Sequence, residues 1–527
     1  MKKFTERTRR GVRFTAITAL AAMTLTVGLA GCSSGEPKSD SGKATSSQTL
    51  KFGFSAEPAV FKAGVDQGSA SKEISTLVRR GLLSYGAKGD AEPALASAYK
   101  VSDDGLTYTF TLRPKLKFSN GEPLTSADVK RTFEYLAVPA NGAADLDAFA
   151  NIANIDTPDG TTVVLNLKNP QTALPKVLAG PLSVILPKEP VDSEGIPISA
   201  GPFMITKYSK GVSYTLAKNP DYYAADSVKL KGIEMTFMAD AQTRVKALIG
   251  GQVQFIDYVP ASDYETLKKT KGVTLNTSPG LYGTLQFNLT KGPLAVPEVR
   301  QAIAYALDLK SLNQVGTLGY GTANGGLPIP VSSEYFDKKQ ANHFALNVDK
   351  AKDLLAQAGY AGGGFDLKLL TTSQYFGFTE RAQVIKSDLE KVGINVDLET
   401  GDYANLVAKG NSGAYDMLVG GPPAAINDPS AITGAFIGGP TFVRSFGINQ
   451  DLYSGLLEKG AQTADGPDRK AIYKEIGDIY LKDVPFITWG MGTAGYAYSD
   501  SVKGFTMLTG PTVYSSLYSL ATTQLAG

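Results

Sequence analysis

The feature that most constrains the fold is a regular alternation of helix-like and strand-like segments between residues 347 and 420. Segments with apolar residues at helical spacing alternate with short apolar runs, and Gly359 and Gly393 end two of the helical segments. Alternation at this spacing predicts an α/β fold with a mostly parallel, doubly wound sheet. Ligands bind such sheets beyond the carboxyl ends of the strands. The loops 371–377 and 420–429 leave those ends, so we expect them to line a binding cleft.

A second informative stretch, residues 95–136, predicts a hairpin followed by a helix. Asp104 and Gly105 form a turn signal, and apolar residues then alternate with polar ones as in a half-buried strand. Thr125, with Asp128 three positions later, has the spacing of a helix capping box. Such a unit occurs in many folds, so these patterns alone indicate local structure but no function.

The exact residue sequence of that stretch is more specific than its spacing of apolar residues. The run VSDDGLTYTFTLRPKLKFSNGEPLTSADV resembles the signature segment of the family 5 extracellular solute-binding proteins. These are the oligopeptide, dipeptide and nickel receptors of ABC importers. Three further blocks resemble the same family in the same order, and they lie at residues 198–254, 285–312 and 469–490. Two positions depart from the family pattern: Gln254 replaces a usual aspartate, and Asp308 is followed by Leu309 where an acidic-arginine pair is usual.

The resemblance implies a particular arrangement of domains. The expected fold is α/β and two-lobed, like the type II periplasmic binding proteins of the large peptide-receptor subclass, with an extra subdomain inserted in lobe 1. The 43% of hydrophobic residues allows a large core, and a single cysteine allows no disulfide within the chain. The expected parts are lobe 1 from residues 49–85, 199–286 and 492–527, the inserted subdomain from 86–198, and lobe 2 from 287–491.

The N-terminus predicts export and a lipid anchor. Basic residues precede an uncharged apolar run that ends in Leu29-Ala30-Gly31-Cys32. This pattern is typical of a lipoprotein signal peptide over residues 1–31, with lipid added to Cys32; the alternative is an ordinary signal peptide followed by a chance cysteine. Residues 32–48 are polar and predict a flexible tether. We therefore expect a protein anchored by lipid to the cell membrane and facing outside, in an extracellular or periplasmic space.

The sequence offers little that could support catalysis or a cofactor. His343 is the sole histidine, and no Gly-x-Ser-x-Gly motif is present. No cluster of histidine and cysteine predicts a metal site, and no glycine-rich run has the Lys-Ser/Thr of a phosphate loop. The excess of positive charge belongs to the signal peptide, so nothing indicates nucleic-acid binding. We expect a protein that is not an enzyme and that needs no metal or other cofactor.

The resemblance implies a binding function. The protein would capture a small solute between its lobes and deliver it to an ABC permease with its ATPase subunits, acting as a monomer. An oligopeptide or dipeptide is the leading interpretation for the cargo. The alternatives are a non-peptide cargo such as a sugar or an amino-acid conjugate, a surface lipoprotein that binds a partner, and a cell-surface hydrolase that would use His343.

One departure from the family bears on the cargo. Peptide receptors of the family bind the peptide's amino group with an aspartate in the run Gly-Trp-x-Ala-Asp-Tyr-x-Asp-Pro, where this chain has GPPAAINDP and places Ala425 at the aspartate. Either another acid such as Glu57 takes that role, or the cargo is not a peptide with a free amine. The alternative for Glu57 is a place in a surface turn, and the alternative for Trp489 is ordinary packing in the core. The residues predicted to line the cleft are Glu57, Tyr282, Gln374, Tyr375, Gly421, Asn427 and Trp489.

Overall fold

The computed structural model describes most of the chain beyond the predicted tether. All described residues belong to one unit, Ser46–Gly527. The predicted signal peptide and Cys32 lie outside the described residues, as do Gln374, Tyr375 and Ala425. The described residues are 48–58, 64, 69–143, 145–193, 196–373, 377–421, 426–438 and 441–526.

The strands in the described part of the chain are short, except for two of fourteen and fifteen residues. They are β1 (Thr49–Phe54), β2 (Leu83–Tyr85), β3 (Ala91–Pro93), β4 (Ala96–Val101), β5 (Thr107–Leu112), β6 (Ile152–Asp156), β7 (Thr162–Leu167), β8 (Phe203–Ser209), β9 (Ser213–Lys218), β10 (Gly232–Phe237), β11 (Phe255–Ile256), β12 (Val273–Phe287), β13 (Thr322–Ala323), β14 (Phe365–Thr372), β15 (Ile394–Gly401), β16 (Met417–Gly420), β17 (Phe486–Ser499), β18 (Val502–Lys503) and β19 (Gln524–Leu525).

The α-helices lie mainly in the second half of the chain, and a 3-10 segment, Gly510–Ala521, follows the last long strand. Among the described residues none of these helices is long and apolar enough to span a bilayer. The helices are α1 (Ser69–Val78), α2 (Ser126–Leu136), α3 (Leu146–Ala150), α4 (Leu174–Leu178), α5 (Ala241–Ile249), α6 (Tyr264–Lys269), α7 (Pro297–Ala306), α8 (Leu309–Thr317), α9 (Lys338–Ala341), α10 (Val348–Gln357), α11 (Phe378–Glu390), α12 (Tyr403–Ser412), α13 (Asp451–Gln462) and α14 (Pro467–Asp483).

One large sheet runs through the described unit. Its strand order is β15-β14-β16-β12-β17-β11-β1-β10-β9-β8, and β13 also pairs with β17. The two long strands, β12 and β17, are antiparallel and pair from Val273 with Ser499 to Gln286 with Phe486. The register shifts between Pro279 and Tyr282 and again between Gly283 and Thr284. Backbone hydrogen bonds therefore connect the two ends of the sheet without a break in strand order.

The predicted alternation between residues 347 and 420 is confirmed. Strand β14 is parallel to both β15 and β16, and α10, α11 and α12 alternate with these strands. Gly359 and Gly393 have φ values of +87° and +81°, which suits glycine at the end of a helix. The sheet as a whole is mixed rather than mostly parallel, because β12 runs antiparallel to β16 and β17.

The predicted hairpin and capping box are also confirmed. Strands β4 and β5 are antiparallel, and they form a separate four-stranded sheet in the order β4-β5-β7-β6. The backbone N–H of Thr125 donates to the Asp128 carboxylate at 2.9 Å, at the start of α2. Apolar side chains from this sheet and from α2, such as Phe110 and Phe133, pack in one hydrophobic core, which we call the insert core.

Two other hydrophobic cores pack on the two halves of the large sheet. The first-lobe core contains Phe52, Phe203 and Val513, from segments far apart in the chain. The second-lobe core contains Leu369, Ile385 and Trp489. The domain boundaries predicted from the sequence stay a prediction, since β12 and β17 run through two of those boundaries and contribute to both halves of the sheet.

Two local predictions differ from the structure. The apolar spacing of residues 73–83 predicts a helix over that whole range, but α1 ends at Val78 because the chain turns to form a bridge between Gly81 and Val184. A side chain on Gly81 would approach the carbonyl oxygen of Ser183 to 2.7 Å, so this turn needs glycine. The sequence pattern before Trp489 predicts a strand that ends at this residue, but Trp489 lies inside β17, which continues to Ser499.

Candidate ligand-binding site

The carboxyl ends of β14 and β16 lie at the same edge of the sheet, because the two strands are parallel neighbours. Gly421 follows β16 and packs directly against the next strand: a Cβ on Gly421 would lie 2.2 Å from the carbonyl oxygen of Tyr282. The structure therefore brings together two residues that the sequence predicted for the cleft. The loops beyond both strand ends include residues outside the described part of the chain, among them Gln374 and Tyr375.

Trp489 lies close to the same edge. Its ring packs on the backbone of β12, where a Cβ on Gly283 would lie 2.1 Å from the indole Nε1. The residue is 1% exposed and belongs to the second-lobe core, and its Nε1 has no hydrogen-bond acceptor among the described residues. Tyr282 is also buried, and its hydroxyl lies 3.5 Å from Asn324 Nδ2. Both aromatic residues are buried beneath this edge, and their contact with a ligand stays a prediction.

Arg381 stands beside Trp489 and was not identified from the sequence. Its guanidinium carbon lies 5.4 Å from the centroid of the indole ring, and its Nε donates to the carbonyl oxygen of Leu312 at 3.0 Å. The residue is 7% exposed, and burial lowers its pKa to about 10. A buried arginine on a helix looks like an ordinary surface cation in the sequence, so no signal in the pattern could have found it.

Asn427 connects the loop after β16 to the other half of the sheet. Its Nδ2 donates to the carbonyl oxygen of Thr509 at 2.9 Å and to the hydroxyl of Thr512 at 3.1 Å. These threonines border the 3-10 segment whose apolar residues pack in the first-lobe core. The Oδ1 of Asn427 is buried and has no hydrogen-bond donor among the described residues. This predicted cleft residue therefore bridges the two lobes and keeps one acceptor unused.

Asp428, the next residue, anchors the same loop. Its side chain is 1% exposed and accepts from Arg469 at 2.7 and 3.1 Å and from Lys176 of the inserted subdomain at 3.0 Å. Burial alone would raise the pKa of this carboxyl, but hydrogen bonds and charge from Arg469, with the charge of Lys176, lower it to about 2. The carboxylate is therefore held ionised between α14 and the inserted subdomain.

Two tyrosines from the first-lobe side form a stacked pair that the sequence did not reveal. The rings of Tyr258 and Tyr514 are 5.1 Å apart and within 14° of parallel. Tyr258 is 36% exposed, yet burial raises its pKa well above its usual value. A side chain can be accessible and desolvated at once when it faces a recess enclosed by protein. Tyr258 also has φ of +46°, a strained value for a bulky residue that is found more often at functional sites.

Two buried acids, Glu73 and Asp257, lie near this tyrosine: Asp257 precedes it in the chain, and the charge of Glu73 contributes to its raised pKa. Glu73 accepts a hydrogen bond from the Tyr496 hydroxyl, and Asp257 accepts one from Ser55. Burial, followed by the charge of Asp257, raises the pKa of Glu73 well above its usual value. Burial also raises the pKa of Asp257 to about 6, although Arg244 opposes the shift. Burial thus favours the neutral form of both carboxyls, which reduces the repulsion that two buried negative charges would create.

Asp145 of the inserted subdomain presents another desolvated acid. The residue is partly exposed, but burial raises its pKa to about 6 against the opposing charge of Lys72. Its side chain makes no capping hydrogen bond to α3, which begins at the next residue.

Glu57, by contrast, is already engaged in a surface turn. Its carboxylate accepts hydrogen bonds from the Tyr208 hydroxyl and from the backbone N–H of Gly211 at 3.0 Å. These bonds lower the pKa of Glu57, that from Tyr208 most strongly. Tyr208 and Gly211 belong to the hairpin of β8 and β9 at the outer edge of the sheet. The contacts of Glu57 fit the surface-turn alternative, and its role in ligand binding stays a prediction.

His343 does not form a catalytic arrangement with the residues it contacts. Its Nε2 lies 3.3 Å from the hydroxyl of Tyr305, and its ring packs on Phe344. No group of three or more metal-ligating acids, histidines or cysteines occurs among the described residues. The aromatic, amide and charged groups described above are of the kinds that line binding sites for small solutes.

Comparison with known proteins gives consistent matches along the chain. Residues 90–442 match the family described as bacterial extracellular solute-binding proteins, family 5. The glutathione-binding protein GsiB of Escherichia coli (strain K12) is 27% identical over 450 residues, which cover 82% of this chain and 87% of that protein.

Solved structures match over nearly the full described unit. The binding protein AgaA from A. tumefaciens R10, solved in complex with agropinic acid, is 36% identical, with a TM-score of 0.81 over 91% of this chain and 99% of AgaA. DppA from Helicobacter pylori, in complex with the peptide STSA, is 24% identical, with a TM-score of 0.77 over 91% of this chain and 98% of DppA. At that lower identity DppA shows similarity of fold alone.

Proposed function

Because the chain belongs to the family 5 bacterial extracellular solute-binding proteins, we propose that it captures a small amino-acid-derived solute for an ABC importer. The fold is the two-lobed α/β fold of the periplasmic binding proteins in this family. The match over residues 90–442 is the observation that carries the proposal. The role requires binding and release of the solute, with an ABC permease and its ATPase subunits as partners.

The proposed cargo is an amino-acid conjugate rather than a peptide with a free amine. The sequence has Ala425 where peptide receptors of the family have their amine-binding aspartate, and the carboxylate of Glu57 is occupied by Tyr208 and Gly211. A relative that is 36% identical was solved with agropinic acid, and a curated relative binds glutathione. A dipeptide or oligopeptide remains the second candidate, supported by the fold shared with DppA.

Capture would follow from the contacts that join the lobes. Asn427 reaches Thr509 and Thr512, and Lys176 reaches Asp428. Such contacts exist only when the lobes are close together, so a ligand that binds between them favours this arrangement over an open one. The solute would stabilise the closed form, and the closed form would dock on the permease.

The proposed location is the outer face of the cell membrane. Cys32 would carry the lipid, and residues 33–48 would tether the binding unit to it; both assignments rest on the sequence pattern. We propose a monomer, since one chain supplies the tyrosine pair, Asn427 and the Trp489 edge. Mass spectrometry of the exported protein tests the anchor: a diacylglycerol adduct on Cys32 supports it, and an unmodified cysteine contradicts it.

A thermal-shift screen tests the proposed function. Purified protein is heated with glutathione, agropinic acid, Met-Leu, tetrapeptides and neutral sugars. Binding to the folded state alone raises the melting temperature in proportion to the logarithm of ligand concentration over Kd, so 100 Kd of ligand adds about 2.7 kcal/mol. A shift with amino-acid conjugates but not with free-amine peptides supports the proposed cargo. A shift with peptides alone favours the second candidate, and no shift with any solute contradicts the function.

A further inference from the structure

Arg381 is a buried cation whose two terminal nitrogens have no partner among the residues that the structure describes. The guanidinium makes one hydrogen bond, from Nε to the carbonyl oxygen of Leu312. Neither Nη1 nor Nη2 has an acceptor among residues 48–526 as far as these are described, and the side chain takes part in no ion pair there. The residue is 7% exposed. A buried charge without a counter-ion costs several kcal/mol, so a fold retains one at the expense of its stability.

The residues packed around this guanidinium fix its position. A Cβ on Gly316 would lie 2.0 Å from the guanidinium carbon, and a Cβ on Gly377 would lie 3.0 Å from Nη1. The two glycines therefore leave room that any other residue would fill. On a third side the guanidinium lies over the ring of Trp489. The residue keeps 7% of its surface exposed, so the described neighbours leave a narrow opening beside it.

The position of this opening matches the predicted binding edge. Gly377 is the N-cap of α11, which follows the loop leaving the carboxyl end of β14. The first turn of a helix carries partial positive charge and favours an anion. The neighbouring acid, Glu380, accepts a hydrogen bond from Thr379, and its charge partly offsets the effect of burial on the pKa of Arg381. Positive potential from the helix and from the guanidinium thus coincides at one end of the cleft.

We infer that the Arg381 guanidinium and the N-terminus of α11 form a subsite for a carboxylate group of the cargo. This inference rests on the proposed function and specifies the chemical class of the solute: an organic acid. The planar fork of arginine matches a carboxylate in a two-point contact. A cation with no counter-ion among the described residues balances a monoanion, which favours a carboxylate over the dianion of a phosphate ester. Trp489 shields the pair from water on one side, which strengthens the attraction.

The chain supplies its own reporter for this subsite, since Trp489 is its only tryptophan. An anion that reaches Arg381 changes the surroundings of the indole and therefore its fluorescence. The full chain is titrated with glutathione, agropinic acid and Met-Leu, each compared with its ester or amide, and with inorganic phosphate. Arg381→Met removes the charge at similar length, Arg381→Lys keeps the charge without the fork, and Lys386→Met removes an exposed charge from the same helix as a matched control.

The expected result is a loss of affinity of about 30-fold or more for the bound acid in Arg381→Met, because a buried charge loses its partner. Arg381→Lys should fall between Arg381→Met and the wild type, and Lys386→Met should match the wild type. The ester or amide should bind weakly and equally to the wild type and Arg381→Met. Without cargo, Arg381→Met should melt no lower than the wild type, since an unpaired charge has been removed; a purely structural arginine would lower the melting temperature.

Each of the other possible results contradicts the subsite, the carboxylate assignment or the proposed function. If the wild type binds an acid and Arg381→Met binds it equally well, the subsite is wrong while the proposed function stands. If the acid and its ester bind the wild type alike, or if only phosphate changes the fluorescence, the carboxylate assignment is wrong. If no solute affects the wild type in fluorescence or in the thermal-shift screen, the proposed function and the subsite both fail.

Discussion

At the residue scale, one carboxylate joins three parts of the chain. Asp428 lies in the loop after β16, and its partners are Arg469 of α14 and Lys176 beside the insert core. Asp465, on the exposed side of the same arginine, has a side chain that is 53% exposed. Both acids pair with Arg469, but only Asp428 is buried. Comparing variants of the two acids therefore separates the effect of burial on stability from the effect of charge.

We expect Asp428→Asn to lower the free energy of unfolding by about 3 kcal/mol, since Arg469 would keep a buried charge with less compensation. The exposed control, Asp465→Asn, should cost less than about 1 kcal/mol. Urea denaturation followed by circular dichroism measures both values. Equal losses in the two variants would show that burial does not increase the contribution of the carboxylate to the free energy of unfolding.

The same carboxylate sets a pH dependence. Its pKa is about 2 in the folded protein and 3.8 in an unfolded chain, so its stabilisation is complete above the unfolded value. That contribution, about 2.5 kcal/mol, is lost as pH falls from about 4 through about 2. Urea midpoints measured from pH 5 to pH 2 should fall less steeply for Asp428→Asn than for the wild type. Parallel curves would contradict the assignment.

At the scale of single elements, the sequence predicted the structure wherever residues close in sequence determine the conformation. The alternation in β14, α11 and β15 and the capping box of α2 were predicted because each depends on neighbours in sequence. The end of α1 was mispredicted because it depends on contacts with residues about a hundred positions away, at Ser183 and Val184. Sequence patterns carry no information about such distant packing.

The capping box gives a test at this scale. Thr125→Ala removes the capping hydroxyl of α2 and should lower the free energy of unfolding by about 1 kcal/mol. The matched control is Lys130→Ala on the exposed face of the same helix, where the ion pair with Glu134 contributes about 0.3–0.5 kcal/mol. Both changes are read from urea midpoints. A larger loss for Lys130→Ala would contradict the capping assignment.

At the scale of the whole molecule, the site combines residues that the sequence cannot place together. Tyr282, Gly421 and Trp489 were predicted for the cleft from the sequence, and the structure brings them to one edge. Tyr258, Tyr514 and Arg381 were missed because their importance depends on burial and on partners, which only the folded chain defines. The fold was therefore more predictable than the site.

Asn427 tests the closure of the lobes. Asn427→Ala removes the two hydrogen bonds to Thr509 and Thr512, so the protein without cargo should shift toward open forms. Small-angle X-ray scattering should show a larger radius of gyration than the wild type without cargo, and a smaller difference when cargo saturates both. The control, Asn411→Ala, changes an asparagine whose side chain contacts Phe442 within the second lobe. An unchanged radius in Asn427→Ala would show that this bridge does not hold the lobes together.

The continuous pairing of β12 with β17 has a mechanical consequence. A domain joined by loose linkers can rotate about many axes, but two hydrogen-bonded ribbons resist all distortions except a twist or bend across them. The register shifts on either side of Tyr282 are the places where that ladder is interrupted, and Gly490, with φ of +127°, stands opposite. The proposed opening and closing of the lobes would therefore be confined to this pair of strands, and the stiffness of the pair would set both the direction of the motion and the binding free energy needed to drive it.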